Sequence, residues 1–201
     1  MEWLGMMEWV ATVFGIVCVW LMARQHILGW PAGIISTAIY SWIFFESRLY
    51  SDAILNVIYV GLNVYGWWYW SRADGTRTHQ LPVTYLRTAT RIAWAVLIVV
   101  GTLLWGKLMA THTDADFPYF DAFTTVASLV AQYLMARKKL ENWLIWIIVD
   151  VAAIQIYYLK GLYVTSFLFV VYLLLSIKGW VDWKRAMSSS VVWEEQEAYE
   201  A

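Results

Sequence analysis

Residues 143–159 read WLIWIIVDVAAIQIYYL, an apolar run with one carboxylate, Asp150, near its middle. A bilayer core of about 30 Å needs about 20 mostly apolar residues in a helix, and backbone groups in lipid must be satisfied within the segment. The run therefore predicts a membrane-spanning helix. Because an ionisable residue inside such a helix is costly, Asp150 is a candidate functional residue.

The whole chain shares this apolar character. Its 201 residues are 61% hydrophobic and 14% charged, whereas soluble domains are about 45–50% apolar and about 25% charged. We therefore predict an all-α polytopic membrane protein in the lipid bilayer, and exclude a soluble enzyme domain, a disordered chain and a disulfide-rich scaffold. Seven spans are predicted: Trp3–Met22, Leu28–Phe45, Asp52–Trp70, Ile92–Met109, Tyr119–Met135, Trp143–Leu159 and Leu162–Gly179.

Basic residues are distributed unequally over the connections between these spans. If successive spans cross the membrane in opposite directions, eleven of the 14 lysines and arginines lie on the same side as the C-terminus. Loops rich in Lys and Arg stay in the cytoplasm, so we expect the C-terminus inside and the N-terminus outside the cell inner membrane. The eleven are Arg24, Arg72, Arg77, Arg87, Arg91, Arg137, Lys138, Lys139, Lys178, Lys184 and Arg185.

Tryptophans lie beside these basic residues at the predicted inner face. Trp is enriched at membrane–water interfaces, where one edge of the indole is apolar and the other is wet. We therefore expect most of this group to be interfacial anchors: Trp67, Trp68, Trp70, Trp180 and Trp183.

The chain also contains an internal repeat, visible when it is aligned with itself at a spacing of 113 residues. The tetrapeptide LMAR occurs at 21–24 and again at 134–137, and Trp30, Gly66 and Trp70 match Trp143, Gly179 and Trp183. Equivalent helices are four spans apart and so cross in the same direction. This predicts a parallel 3+1+3 arrangement, a transporter architecture that holds substrate near the midplane between the halves. A duplicated bundle without a transport role is the alternative.

The repeat also predicts the domain organisation. Residues 1–71 form the first three-helix repeat and residues 111–187 the second. Between them, residues 72–110 form a cytoplasmic loop and a linker helix. Residues 188–201 form an acidic cytoplasmic tail.

Trp143, Trp146 and Asp150 are spaced i, i+3, i+7 and so share one helix face. Two indoles and a carboxylate suit a flat organic cation, because the rings attract the cation and the carboxylate supplies the counter-charge. The alternative is that the indoles are interfacial anchors and Asp150 makes a helix–helix contact. The first-half counterpart of Asp150 is Thr37, which we include among the candidate substrate-binding residues.

Two amides of the third predicted span, Asn56 and Asn63, also share one face. Such amides either contact a polar ligand or bond neighbouring helices. Catalytic residues, metal ligands and cofactors are not predicted, because no H-E-x-x-H, G-x-S-x-G or P-loop pattern occurs and the chain has one cysteine. We therefore expect a non-enzyme. The net charge of −1 gives no indication of nucleic acid, and we expect no nucleic-acid partner.

The segment Glu141–Asp150, ENWLIWIIVD, resembles the E-N-W-x-x-W-x-x-x-N segment of the PnuC vitamin transporters. Asn63–Trp67 and Trp70–Arg72 match that family too, and the resemblance runs from Thr12 to Arg185. It implies a SWEET-like fold, with Trp143, Trp146 and position 150 at the substrate. It also implies uptake of nicotinamide riboside by facilitated diffusion for NAD biosynthesis, a homotrimer, and a cytoplasmic vitamin kinase that traps the vitamin.

The family motif ends in Asn where this chain has Asp150. Nicotinamide riboside carries a pyridinium and thiamine a thiazolium, so a carboxylate suits either vitamin. We place nicotinamide riboside first because most of the family is assigned to it. The alternatives are a transporter of thiamine or another B vitamin, a SWEET-like carrier of neutral solutes, and a membrane protein without a transport role.

Overall fold

The computed structural model describes residues 2–48, 50–72, 81–113 and 117–200; at residues 2, 4, 50, 51 and 189–200 it describes the backbone alone. Arg77 and Leu49 lie outside the described residues, as do the side chains of the acidic tail from residue 189 onward. Within the described ranges the fold is all-helical, as the sequence predicts. The helices are α1 Glu2–Ala23, α2 Gly29–Glu46, α3 Tyr50–Ser71, α4 Thr88–His112, α5 Pro118–Ala136, α6 Glu141–Leu159 and α7 Tyr163–Glu200.

Four stretches among the described residues are long and apolar enough to cross a membrane by length and composition alone, and they lie in α1, α4, α6 and α7. The other three predicted spans form helices, but indole, phenol, hydroxyl and amide groups lower their mean hydropathy. The multi-pass character is therefore confirmed, whereas the number of seven spans stays a prediction. The four stretches are Gly5–Ala23, Thr88–His112, Glu141–Leu159 and Tyr163–Ser188.

The last helix is much longer than the sequence analysis predicts. The predicted span ends at Gly179, but α7 continues to Glu200 and includes most of the residues assigned to the acidic tail. A bilayer limits the length of a span, not that of a helix. Because residues 180–200 contain no Gly or Pro, nothing in them breaks the helix after Gly179.

Three helices end in the same tight turn, with a left-handed residue at the second position after the last helical residue. At the ends of α1, α5 and α6, the residue after the left-handed one donates its backbone N–H to the carbonyl five positions earlier. The N···O distances are 2.9, 2.9 and 2.8 Å. This is the Schellman arrangement, which satisfies carbonyls that the helix leaves unpaired. A further left-handed residue follows α2. The positive φ angles are at Gln25 (57°), Arg48 (61°), Lys138 (49°) and Gly161 (75°).

The chain divides into two compact units. The first contains α1, α2 and α3, with the turn after α5 and the far end of α7. The second contains α4, most of α5, α6 and the first part of α7. Their bounds are Met1–Val83, Ala136–Lys138 and Val181–Ala201 for the first, and Thr84–Met135 and Lys139–Trp180 for the second.

A tryptophan packed on a glycine organises each unit. In the first, Trp30 of α2 is buried against Gly66 of α3, where an added Cβ would lie 2.3 Å from the indole. In the second, Trp143 of α6 is buried against Gly179 of α7, where an added Cβ would lie 2.6 Å from the indole. Both distances are far below van der Waals contact, so only glycine lets these helices approach so closely.

Two tryptophans that we expected to be interfacial anchors are buried instead. The indole N–H of Trp70 donates to the carbonyl of Ala136 at 3.0 Å, and that of Trp183 donates to the carbonyl of Met22 at 2.9 Å. Their rings lie 6.1 Å apart. The anchor interpretation is wrong for this pair, because each indole satisfies a carbonyl in the last turn of another helix. Trp67 and Trp68 are 43% and 48% exposed, as an anchor requires.

Candidate functional site

Asp150 lies in the middle of α6 and is 2% exposed. Its Oδ2 accepts a hydrogen bond from the Ser176 hydroxyl of α7 at 2.9 Å. Both side chains belong to the second unit. Burying a carboxylate is costly unless hydrogen bonds or an opposite charge compensate it. The bond from Ser176 supplies one such compensation and sets the orientation of the carboxylate.

No lysine or arginine within the described part of the chain forms an ion pair with Asp150. The neighbouring positions along α6 are apolar, with Val149 before it and Val151 after it. An isolated charge in such surroundings attracts a cation strongly, because the local dielectric constant is low. The arrangement is therefore suited to a positively charged ligand.

Trp146, one turn before Asp150, has an indole N–H that is buried and has no hydrogen-bond partner among the described residues. Buried Trp N–H groups usually find a partner. A polar ligand atom is one group that would satisfy this donor. Trp146 is half-buried, whereas Trp143 is fully buried on Gly179. The packing of Trp143 stabilises the helix pair, and its contact with a ligand stays a prediction.

Glu141 fixes the start of α6 and hence the register of the residues that follow. Its carboxylate accepts the backbone N–H of Leu86 at 3.0 Å through Oε1 and 3.1 Å through Oε2. Oε1 also accepts the Arg91 Nε at 2.8 Å. A backbone bond also links the segment before α4 to the start of α6, since the N–H of Leu140 donates to the carbonyl of Thr84 at 3.1 Å. Charge-assisted bonds of this kind hold α6 firmly.

The remaining predicted site residues, Thr37, Asn56 and Asn63, belong to the first unit. The Thr37 hydroxyl donates to the carbonyl of Gly33 at 2.8 Å, and the Asn56 amide donates to that of Asp52 at 2.9 Å, each within its own helix. Asn63 is buried and faces Gly33, where an added Cβ would lie 2.7 Å from its Oδ1. Three of the six predicted residues thus lie on α6 and three on α2 and α3.

Ser176 is not among the site residues that the sequence predicts. A serine in an apolar helix carries no strong signal, since hydroxyls there commonly bond to their own backbone. The repeat offered a signal, because position 176 is the counterpart of Asn63 at the spacing of 113 residues. The polar position of the third helix therefore recurs in the seventh, and Ser176 is the residue that reaches Asp150.

Comparison with known proteins gives one consistent family. The family model described as "Nicotinamide mononucleotide transporter" matches residues 5–185. The nicotinamide riboside transporter PnuC of Escherichia coli strain K12 is 28% identical over 214 residues, covering 92% of this chain and 89% of the relative. The riboflavin/roseoflavin transporter RibM of Streptomyces davaonensis is 26% identical over 178 residues, covering 88% of this chain and 83% of the relative.

A solved structure is similar as well. The crystal structure of the vitamin B3 transporter PnuC superimposes with a TM-score of 0.73 at 27% sequence identity. The match covers 91% of this chain and 82% of that one. The similarity therefore extends over nearly the whole fold.

Proposed function

Because the chain belongs to the nicotinamide mononucleotide transporter family, we propose that it carries nicotinamide riboside across the membrane by facilitated diffusion. The relatives are transporters rather than enzymes. The supply of NAD biosynthesis is the corresponding role in the cell. Movement of solute down its gradient, by alternating access, is the transport mode that we propose.

The observation that carries this proposal is the buried carboxylate of Asp150, which has no cationic partner among the described residues. Nicotinamide riboside carries a fixed positive charge on an aromatic ring. A carboxylate supplies the counter-charge, and an indole attracts the face of the cationic ring. Riboflavin is neutral, so the same carboxylate would be desolvated without compensation.

Each side chain then has a distinct role. Asp150 pairs with the pyridinium, Ser176 orients its carboxylate, and Trp146 stacks on the ring. Asn63 offers a buried amide to a polar substrate group. The proposed binding set is completed by Thr37, Asn56 and Trp143. The side chains of Thr37 and Asn56 also bond to carbonyls of their own helices, and Trp143 also packs on Gly179.

We also propose that the helices form a parallel 3+1+3 arrangement, in which α4 links two three-helix repeats. Several structural features that recur at the spacing of 113 residues support it. Helix α3 begins at Tyr50 and α7 at Tyr163, and the left-handed residues Gln25 and Lys138 stand at the same spacing. The tryptophan–glycine contacts of the two units recur at this spacing too.

The orientation and setting are proposals that rest on charge and resemblance. Eleven of the 14 basic residues lie on one side in an alternating arrangement, which favours a cytoplasmic C-terminus, an external N-terminus and the inner membrane. We further propose a homotrimer, and a cytoplasmic vitamin kinase whose reaction keeps the imported vitamin inside.

The test is flux into proteoliposomes that contain the purified protein. Radiolabelled nicotinamide riboside should enter saturably, thiamine more slowly, and riboflavin and glucose no faster than into empty liposomes. Asp150→Asn, which keeps the side-chain shape and removes the charge, should lower the nicotinamide riboside rate by about tenfold or more, since an unpaired buried partner costs 2 kcal/mol or more. Glu46→Gln, which removes an exposed carboxylate at the end of α2, is the matched control and should keep the rate.

Two results would contradict the proposal. Faster riboflavin flux that Asp150→Asn leaves unchanged would assign the chain to the riboflavin-transporting relatives instead. Equal rates for glucose and nicotinamide riboside, again insensitive to Asp150→Asn, would favour a carrier of neutral solutes.

A further inference from the structure

Parts of four helices bond to one another in a crossed pattern inside the first unit. The indole N–H of Trp70 in α3 donates to the carbonyl of Ala136 at the end of α5, and that of Trp183 in α7 donates to the carbonyl of Met22 in the last turn of α1. The two indoles lie side by side, with ring centroids 6.1 Å apart. We call this cluster the inner junction, and its members are Met22, Gln25, Trp70, Ala136, Lys138 and Trp183.

The turns that follow α1 and α5 are joined at the same place. The Lys138 Nζ donates to Oε1 of Gln25 at 3.2 Å and lies 4.4 Å from the ring centroid of Trp70. Both turn residues adopt left-handed conformations, with φ angles of 57° at Gln25 and 49° at Lys138. The junction therefore links all four helices through specific side-chain bonds.

Two of these contacts join a residue to its own counterpart at the spacing of 113 residues, namely Gln25 with Lys138 and Trp70 with Trp183. In an arrangement of two similar repeats, a residue contacts its own counterpart only where both lie close to the axis that relates the repeats. Transporters built from such repeats open and close between the repeats, around a central site. The junction is thus placed where such a transporter must open.

The inner junction is closed to solvent. Ala136 and Trp183 are 0% exposed, Met22 is 1% exposed and Trp70 is 5% exposed. Separating the helices would break both indole bonds together and would expose about 150–250 Å² of each indole to water. Because exposure of apolar surface is unfavourable, the packing of the junction favours the closed arrangement.

Lys138 makes this closed arrangement less stable than its packing alone would. Its ammonium group is buried, and it forms no ion pair with a carboxylate in the part of the chain that the structure describes. Burying a charge without an opposite charge is unfavourable, and opening the junction to water would hydrate the ammonium. The indoles therefore favour closure, whereas Lys138 favours opening.

We propose that the inner junction is the cytoplasmic gate of the transporter, and that Lys138 keeps its closed state from becoming too stable to open. The gate is closed in this structure and opens as the two repeats move around the central site. This inference rests on the transport function, the orientation and the 3+1+3 arrangement proposed above. A junction that never opens would instead be a fixed support of the fold.

The experiment measures how fast a cysteine in the junction reacts with a charged methanethiosulfonate in nanodiscs, where the reagent reaches both faces of the membrane. Ala136→Cys, in a Cys18→Ser background, places a thiol at a fully buried position and keeps the carbonyl that accepts Trp70. Arg24→Cys in the same background is the matched control, because Arg24 directly follows α1 and is exposed.

For a gate, Ala136→Cys should react about 10- to 1000-fold more slowly than Arg24→Cys, since the minor state of a two-state protein is typically populated at about 0.1–10%. A still slower reaction would show that the junction is a fixed support, and a faster one that it is not closed. If Ala136→Cys does not insert into the membrane, Ala23→Cys replaces it, because Ala23 is the counterpart position and is 1% exposed.

Lys138→Gln tests the role of the lysine. Removal of the charge should slow the reaction of Ala136→Cys by about fivefold or more, since it favours the closed state, and should leave the reaction of Arg24→Cys unchanged. An unchanged rate for Ala136→Cys would overturn the assigned role of Lys138.

Uptake of nicotinamide riboside by the wild-type protein in proteoliposomes is measured alongside. Absence of wild-type uptake would contradict the proposed function, whatever the reaction rates of the cysteines. Wild-type uptake together with an unreactive Ala136→Cys would contradict the gate alone.

Discussion

In the repeat that we propose, the helices α1–α3 and α5–α7 share a scaffold but differ in the chemistry that it carries. In both, a buried tryptophan of the second helix packs on a glycine of the third. The pairs are Trp30 on Gly66 and Trp143 on Gly179. Where the first set has Gly33 and Asn63, the second has Trp146 and Ser176. In the first set Gly33 lies against Asn63, whereas in the second Ser176 donates a hydrogen bond to Asp150.

This difference shows which positions can change while the packing of the three helices is kept. Close helix approach needs glycine at fixed positions, and those positions are the same in both sets. The positions that carry polar side chains differ between the two sets. Asn63 lies against Gly33, while Ser176 donates to the carboxylate of Asp150, which stands at the position of Thr37 in the first set. Among the side chains that the structure describes in these six helices, Asp150 of the second set is therefore the buried carboxylate.

The largest expected effect comes from removing that charge. Asp150→Thr installs the residue of the first set and should lower nicotinamide riboside uptake about 100-fold, because truncating one partner of a buried charge pair costs about 2–5 kcal/mol. Initial rates in proteoliposomes measure it. Glu8→Gln, an exposed carboxylate of α1, should leave the rate within about twofold. Wild-type uptake by Asp150→Thr would show that the two sets do not differ functionally at this position.

Both shared glycines should be needed for stability. Gly66→Ala and Gly179→Ala each force a methyl group into a rigid indole and should cost about 1–3 kcal/mol of stability, the former slightly more because its contact is closer. Reversible denaturation in mixed micelles measures the loss. Gly61→Ala is the control on α3, since nothing lies within 4 Å of its added Cβ. If Gly66→Ala and Gly61→Ala were equally stable, the close contact of α2 with α3 would be refuted.

The hydroxyl of Ser176 should matter less than the charge that it orients. Ser176→Ala removes one hydrogen bond to a carboxylate and should reduce uptake about tenfold, mostly through a higher KM, because bonds to charged groups contribute about 1.5–3 kcal/mol. Ser176→Thr keeps the hydroxyl and should restore most of the uptake.

Ser166→Ala is a matched control for this effect. Ser166 also lies on α7 and donates to the carbonyl of Ile154 on α6 at 3.0 Å. It therefore loses a similar bond without affecting Asp150. A similar fall in uptake for Ser166→Ala and Ser176→Ala would assign the effect to helix packing rather than to the orientation of the carboxylate.

The smallest effect concerns the turns after α1 and α5, where Gln25 and Lys138 both adopt left-handed conformations. Lys138 is buried, and its Nζ lies 4.4 Å from the ring centroid of Trp70. The same Nζ donates to Oε1 of Gln25 at 3.2 Å. Burial lowers the pKa of Lys138 from 10.5 to about 8. Between these pH values the unfolded chain binds more protons than the folded one, so stability should rise as pH increases from about 8 to about 10.5.

Lys138→Gln, which copies the first turn, should remove this contribution. Between pH 7.5 and 10.5, the free energy of unfolding of the wild type should rise by about 1 kcal/mol more than that of the variant. The value is modest because the cation–π contact with Trp70 offsets part of the burial penalty. Denaturation midpoints of wild type and variant at pH 7.5, 9 and 10.5 measure it. A parallel dependence of both proteins on pH would exclude Lys138 as its source.

The proposed ligand face of α6 was predictable because its residues are neighbours along one helix. Trp146 and Asp150 follow from a spacing of four residues, and no tertiary information is needed to place them on one side. Ser176 was not predictable in the same way, because it meets Asp150 only when α7 packs on α6. Trp70 and Trp183 were misread for a related reason, since only the fold brings their indoles to carbonyls at the ends of other helices.

By itself, the amino-acid order determined the helices, the membrane setting and the duplication, because apolar length, charge bias and periodic identity are local or linear properties of the chain. The tertiary structure decided which indoles are buried and which hydroxyl reaches the buried carboxylate of α6. Those outcomes depend on distances between residues tens of positions apart, and such distances are set by packing, which the linear pattern does not encode directly.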